Sequence, residues 1–185
     1  MVRPTDQELM QRVKGGEVEA FEAVVERHKG VVYGLCFSML RSREDAEEAS
    51  QDTFLKLFRS RHLFDESRPL QPWLLRIAGN TSRDVLRRRT AAQGGMRTGD
   101  SELLMKLLQD PRSTQGHDRA VTRQAVRHAI DQMNDRFREP LVLRYLNGLS
   151  NRQIAEALGI SVSNVKIRLG RAKDLLHSRL SEVRD

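Results

Sequence analysis

The chain has 185 residues, a formal net charge of +7 and a sequence pI near 10.2. That excess of positive charge favours a polyanionic partner, and the length suffices for one domain or two small ones with modest cores. No segment is apolar for long enough to insert in a membrane. One cysteine and five histidines without ligand spacing argue against a disulfide framework and a metal site, and no cofactor motif is present. The amino terminus lacks a signal-peptide pattern, so a cytoplasmic location is expected.

Apolar residues recur at helical spacing almost throughout, with no convincing period-two alternation, so the expected fold class is all-α. Thr5-Asp6-Gln7-Glu8 has capping-box spacing and opens a first helix, which Gly15-Gly16 interrupts. A second helix is predicted from about Glu19 to Leu40. Cys36, inside its apolar run VVYGLCFSML, is expected as a buried small hydrophobe. Ser42 to Asp45 offers another capping box, starting a helix to about Arg61. Pro69 and Pro72 bracket a loop, and a helix follows from Trp73 to Arg89 with Pro72 near its first turn. From Ala91 to Gly116 the composition shifts to Gly, Ser, Thr, Gln and charge, as in a linker. Within it SELLMKLLQD, Ser101 to Asp110, has the pattern of a short amphipathic helix. The expected organisation is therefore two small helical domains, 1–90 and 119–185, joined by a flexible linker, 91–118.

The stretch LSNRQIAEALGISVSNVKIRLGRAKDLL, Leu149 to Leu176, reads as a helix-turn-helix. Ser150 is placed to cap a first helix whose Ile154, Ala155 and Leu158 face inward; Gly159 supplies a left-handed turn residue and Ser161 caps the second helix. Val162, Val165, Leu169, Ala172 and Leu176 form the predicted buried stripe. The opposite face holds Ser163, Asn164, Ile167, Gly170 and Arg171, flanked by Lys166, Arg168 and Lys173. Residues 162–173 carry four cations and no anion, as a helix lying between two rows of phosphates in a major groove requires. The branched methyls of Ile167 are suited to a thymine methyl, with contact to an inhibitory protein as the alternative.

Two further faces ask for a use beyond folding. Arg76, Asn80, Arg83 and Arg87 fall in one stripe of the helix from Trp73, beside a buried side of Trp73, Leu74, Ile77 and Thr81; three arginines and an amide in line suit phosphates and base edges. Acidic residues crowd the helix from Ser42. With Ala46, Ala49, Thr53 and Leu57 buried, its outer side shows Glu48, Gln51, Asp52 and Leu55. DNA would repel such a surface, so docking to a basic protein is its more economical use.

Three blocks now resemble the extracytoplasmic-function (group IV) sigma factors of bacterial RNA polymerase: DAEEASQDTFLKLF from Asp45 to Phe58, PWLLRIAGNTSRDVLRRR from Pro72 to Arg89, and LSNRQIAEALGISVSNVKIRLGRAK from Leu149 to Lys173. They stand in that family's order and separation. The resemblance implies that the first block, with Asp45, Glu48, Gln51, Asp52 and Leu55, docks on the clamp helices of the largest polymerase subunit. It implies that the second block recognises and melts the -10 element through Arg76, Asn80, Arg83 and Arg87. The third block would read the -35 element as duplex, through Ser163, Asn164, Lys166, Ile167, Arg168 and Arg171.

Core polymerase, including its flap region, promoter DNA and a cognate anti-sigma factor are the implied partners. Phe64 and Asn80 match the positions flanking a captured base, although core packing explains Phe64 equally well. The recognition helix departs from the common Gly-Thr-Val-Lys-Ser-Arg pattern with Ser163-Asn164-Val165-Lys166-Ile167-Arg168, so base preference does not carry over. No phosphate loop, zinc spacing or assignable nucleophile points to an enzyme. The competing reading is a helix-turn-helix repressor or activator without the sigma role.

Overall fold

Thr5 sets the start of the first helix. In the computed structural model, which describes residues 3–93, 129–130, 132–145 and 147–181, its hydroxyl accepts the Glu8 N–H at 3.2 Å while the Glu8 carboxylate accepts the Thr5 N–H. The predicted capping box is thus formed, and α1 runs Asp6–Lys14 with Leu9, Met10 and Val13 buried. That apolar side packs on α2, Val18–Leu40.

Two polar contacts fix α1 against α2: His28 Nε2 donates to Asp6 Oδ2 at 3.0 Å, and Arg27 donates to Asp6 Oδ1 at 2.6 Å. The His28 hydrogen bond, helped by Arg27, holds the Asp6 carboxyl below its ordinary value of 3.8 against the opposing effect of burial. A depressed folded pKa means that this tether stabilises the protein fully above the ordinary value and fades as pH falls through the folded one. Asp6→Asn is expected to lower stability at neutral pH by about 1 kcal/mol, a charge-assisted bond discounted for partial exposure. In urea titrations the gap between wild type and variant should narrow at pH 3; a gap independent of pH would reject the tether.

Cys36 is fully buried in α2, and desolvation pushes its thiol up to about 11. It is therefore the inert core residue its sequence context suggests.

The helix α3, Arg43–Arg59, begins at Ser42, whose hydroxyl accepts the Asp45 N–H. Only this half of the anticipated capping box forms. Asp is one methylene shorter than Glu, and the Asp45 carboxylate turns instead to Arg89. Ala46, Ala49, Thr53 and Leu57 are buried as predicted. The helix stops two residues earlier than expected, at Ser60, and a 3₁₀ turn, Arg61–Leu63, follows.

The helix α4, Leu70–Gln93, starts three residues before Trp73 and continues beyond Arg89, into the expected linker. Pro72 sits in its first turn, where an amide hydrogen has no partner to lose. The remaining helices are α5, Asp135–Tyr145, α6, Asn151–Leu158, and α7, Val162–Ser181. The predicted helix at Ser101–Asp110 and the start of the second domain lie outside the described residues.

Helices α2, α3 and α4 pack on one another to form the first unit, and α5, α6 and α7 form the second. The units also meet: α5 lies on α2, and α6 on α4. Polar groups stitch this contact at long range. Arg83 Nη1 reaches Glu139 Oε2 at 3.3 Å, Gln71 Nε2 reaches the Asn147 carbonyl at 3.4 Å, and Arg68 lies 3.5 Å from Glu156. Among the described residues there is no strand, and no helix is long and apolar enough to cross a membrane.

Candidate nucleic-acid and polymerase interfaces

The helix-turn-helix is built from local signals. Ser150 accepts the Gln153 N–H while the Gln153 side chain accepts the Ser150 N–H, a complete capping box. Gly159 takes φ 65°, ψ 35°, the left-handed region that L side chains disfavour. Ser161 then accepts the Asn164 N–H at 3.2 Å, starting α7 at a fixed angle. Ile154, Ala155, Val165, Leu169 and Ala172 are buried between the helices. Leu158 and Leu176 are partly buried. Val162, predicted in the buried stripe, is the first residue of α7 and is 39% exposed. Ala157, not anticipated, is buried.

Ser163, Lys166, Ile167, Gly170 and Arg171 are exposed along α7. Ile167 is 62% exposed, an apolar side chain held out among polar ones. Asn164 and Arg168 are half-buried and brace each other, with Arg168 Nε donating to Asn164 Oδ1 at 3.0 Å. This bond joins two side chains one turn apart on α7.

On α4, Arg76, Asn80 and Arg87 are exposed, while Arg83 is half-buried. Arg83 donates to Asn80 Oδ1 at 2.6 Å and also faces Glu139 of α5. Burial raises the Glu139 carboxyl above its ordinary value, with Arg83 opposing that shift and Asp135 adding to it. One member of the predicted basic stripe is therefore engaged by the second unit. Arg87 pairs with Asp84 on its own helix.

Beside Asn80 a cavity of about 410 Å³ opens between the end of α3, the 3₁₀ turn and α4. Lys56, Arg59, His62, Asn80 and Thr81 are among its lining residues. Lys56 Nζ donates to Thr81 Oγ1 at 3.0 Å, which fixes the ammonium at the cavity wall. Sequence reasoning missed Lys56, Arg59 and His62. The first two read as ordinary cations at a helix C-terminus, and nothing local shows that they converge with Asn80. A space of this kind, amide at one side and cations at the other, suits an unstacked base and its phosphate.

Phe64 does not line this cavity. It is 3% exposed and packs on Trp73 with ring centroids 5.3 Å apart, while its carbonyl accepts Lys14 Nζ at 2.7 Å. Of its two sequence readings, core packing describes this structure.

Across α3 the acidic face is laid out as anticipated. Glu48 and Gln51 are exposed, Asp52 is half-buried, and Leu55 is 51% exposed between them. Asp45 stands apart from this group through its pairing with Arg89.

Comparison with known proteins places these surfaces in context. Residues 24–92 match the family model of Sigma-70 region 2, and residues 123–176 that of Sigma-70, region 4. The chain is 31% identical to the RNA polymerase sigma factor CarQ of Myxococcus xanthus, over 94% of this chain and 97% of that protein. It is 28% identical to the ECF RNA polymerase sigma factor SigW of Bacillus subtilis, over 94% of this chain and 96% of the relative. Among solved structures it is similar to CnrH in complex with the cytosolic domain of CnrY, with a TM-score of 0.71 and 27% identity, covering 97% of this chain and 99% of that one. Two sigma regions in the proper order, with full-length likeness to such relatives, show that this chain belongs to the extracytoplasmic-function group of the sigma-70 family of RNA polymerase sigma factors.

Proposed function

We propose that this cytoplasmic, non-catalytic factor divides promoter recognition among its three surfaces. The acidic side of α3, through Glu48, Gln51, Asp52 and Leu55, docks on the clamp helices of core polymerase, with Asp45 steadying the helix against α4. Arg76, Asn80, Arg83 and Arg87 engage the -10 element, and the cavity beside Asn80 receives an unstacked base. Ser163, Asn164, Ile167 and Arg171 of α7 read the -35 element in the major groove, with Lys166 and Arg168 beside them. Residues 1–90 and 119–185 act as the two working domains, and the second also meets the polymerase flap.

The observation that carries this reading is the cationic, amide-edged cavity on the same small unit as an acidic face with an exposed leucine. One surface suits a melted strand and the other a basic protein. CnrH, a protein of similar fold, is solved with the cytosolic domain of CnrY; a cognate anti-sigma factor covering the α3 and α4 surfaces is the corresponding expectation here.

Run-off transcription with purified core polymerase on a promoter library tests the proposal. Promoter-specific transcripts that require this chain, with enriched -10 and -35 elements, are expected. Tight duplex binding by the chain alone, without any transcript, would reject it in favour of a repressor.

A further inference from the structure

The 3₁₀ turn that brings His62 into the wall of the cavity beside Asn80 buries none of its own residues. A single turn of this kind is weak by itself, so its place is set by what holds its two ends. At the front, Arg61 Nη1 donates to the Phe58 carbonyl at 2.8 Å, with the guanidinium 4.3 Å from the Phe58 ring centroid. At the rear stands Phe64, whose ring packs on Trp73.

That rear end is also held by α1. Gln7 and Lys14 are seven residues apart on one side of α1, roughly 10 Å along its axis. Lys14 Nζ donates to the Phe64 carbonyl and pairs with Glu66, while Gln7 Nε2 donates to the Arg68 carbonyl at 3.4 Å. The two side chains thus grip both ends of the segment 64–68. Between them the segment folds on itself: the Arg68 N–H donates to the Asp65 carbonyl at 3.0 Å, and Ser67 donates to the Asp65 carboxylate. Helix α1 is fixed in turn, since Asp6 accepts from His28 and Arg27 of α2. A chain of contacts therefore runs from the core of the first unit through α1 to one wall of the cavity.

The Lys14 bond does something the packed ring cannot. Burial of the ring sets where Phe64 sits, whereas the bond to its carbonyl sets how the next peptide plane is turned and so keeps the chain from pivoting about the ring. The ion pair with Glu66 is partly exposed and contributes little by itself. The carbonyl bond is the part that positions.

We propose that Lys14 is a positioning residue for promoter opening: through the Phe64 carbonyl it holds the turn Arg61–Leu63, and with it His62, where the cavity accepts an unstacked base. The inference rests on the reading of that cavity as the base-receiving site. Lys14 is not among the residues lining the cavity, so its effect on a bound base passes through the turn.

The test uses holoenzyme assembled with core polymerase and a non-template single strand spanning the -10 element, intact or with one abasic position moved along it. In the wild type the abasic site should weaken binding most, about tenfold, at the position whose base enters the cavity. Lys14→Met keeps the aliphatic stem and removes the donor. It should weaken binding of the intact strand about fivefold and shrink the abasic penalty at that one position to about twofold, the coupling expected of two changes acting on one contact. Affinity for core polymerase and for the closed duplex should stay at the wild-type level. Lys14→Arg, which retains donors, should restore the penalty, and Glu66→Gln should leave it unchanged. Amide exchange at Leu63 and Phe64, whose N–H groups close the turn on the Ser60 and Arg61 carbonyls, should accelerate in Lys14→Met alone.

Unchanged amide exchange in Lys14→Met would overturn the proposal, as would equal weakening of intact and abasic strands at every position, the mark of general damage to the unit. So would an equal loss in Glu66→Gln, which would assign the effect to the ion pair. A wild type without any position-dependent penalty would overturn the base-receiving reading and this inference with it, whereas a wild-type penalty that survives in full in Lys14→Met rejects the inference alone.

Discussion

Replacing Glu48 and Asp52 together by lysine is expected to lower affinity for core polymerase at least tenfold, about 1.4 kcal/mol or more. Both side chains belong to the outer side of α3, Glu48 exposed and Asp52 half-buried, while Ala46, Ala49, Thr53 and Leu57 form the buried side. Substitution there leaves the core contacts in place, so each change should alter stability by no more than about 0.5 kcal/mol. Opposed charges act mainly on association rate and its salt dependence, whereas a buried apolar anchor acts on dissociation. Leu55→Ser is accordingly expected to raise the off-rate with less effect on the salt slope. Titration of labelled core polymerase at two ionic strengths measures both. As a control, Glu26→Lys reverses charge on α2 at a well-exposed site. Equal losses for the control and the α3 variants, or none for either, would refute docking through this face.

Asn80→Ala and Arg171→Ala should fail at different steps of initiation. Asn80 is exposed at the rim of the cavity between α3 and α4. Its loss removes an amide donor and acceptor but no core contact, so assembly with core polymerase and duplex binding should survive. Permanganate reactivity of unpaired thymines should fall about ten- to a hundredfold, equivalent to a base-edge contact worth roughly 1–3 kcal/mol. Arg171 lies on the exposed side of α7, away from that cavity. Arg171→Ala should weaken binding of the closed duplex by roughly 1–3 kcal/mol if the contact is bidentate, and relax preference at one position of the -35 element. The same defect at the same step in both variants would dissolve the proposed division between α4 and α7.

Local signals in the sequence predicted local structure well. Thr5, Ser150, Gly159 and Ser161 act within four residues of themselves, so their caps and turn were legible, as was the buried face of α3; on α4, Leu74 and Thr81 are buried as expected, whereas Trp73 and Ile77 are only partly so. The half-formed box at Ser42 failed for a nonlocal reason: Arg89, 44 residues away, draws the Asp45 carboxylate. The start of α4 was misplaced because Pro69 and Pro72 were read as bracketing a loop, whereas proline is tolerated within a first turn.

The candidate surfaces were legible as helical stripes, since spacing on one helix follows from its pitch. What spacing cannot give is convergence between helices. Lys56 and Arg59 on α3 meet Asn80 on α4 across a cavity, and Lys14 on α1 meets the Phe64 carbonyl; both arrangements depend on tertiary packing. Arg83 was visible as part of a basic row, but its engagement with Glu139 was not.

That engagement makes one guanidinium the object of two claims. While Arg83 faces Glu139, it is less available to a phosphate, so the closed arrangement of the two units and the proposed promoter contact compete for the same group. Were the closed form favoured about ten to one, a ligand restricted to the parted form would bind about tenfold more weakly than its intrinsic affinity. Apolar packing in a core continuous across both units holds the closed arrangement, and the polar groups add little to it. Its polar contacts lie at 3.3 to 3.5 Å, the outer range of useful hydrogen bonding, and parting returns a carboxylate strained by burial to water. A partner that binds the parted arrangement more tightly than the closed one would therefore release Arg83 without touching it.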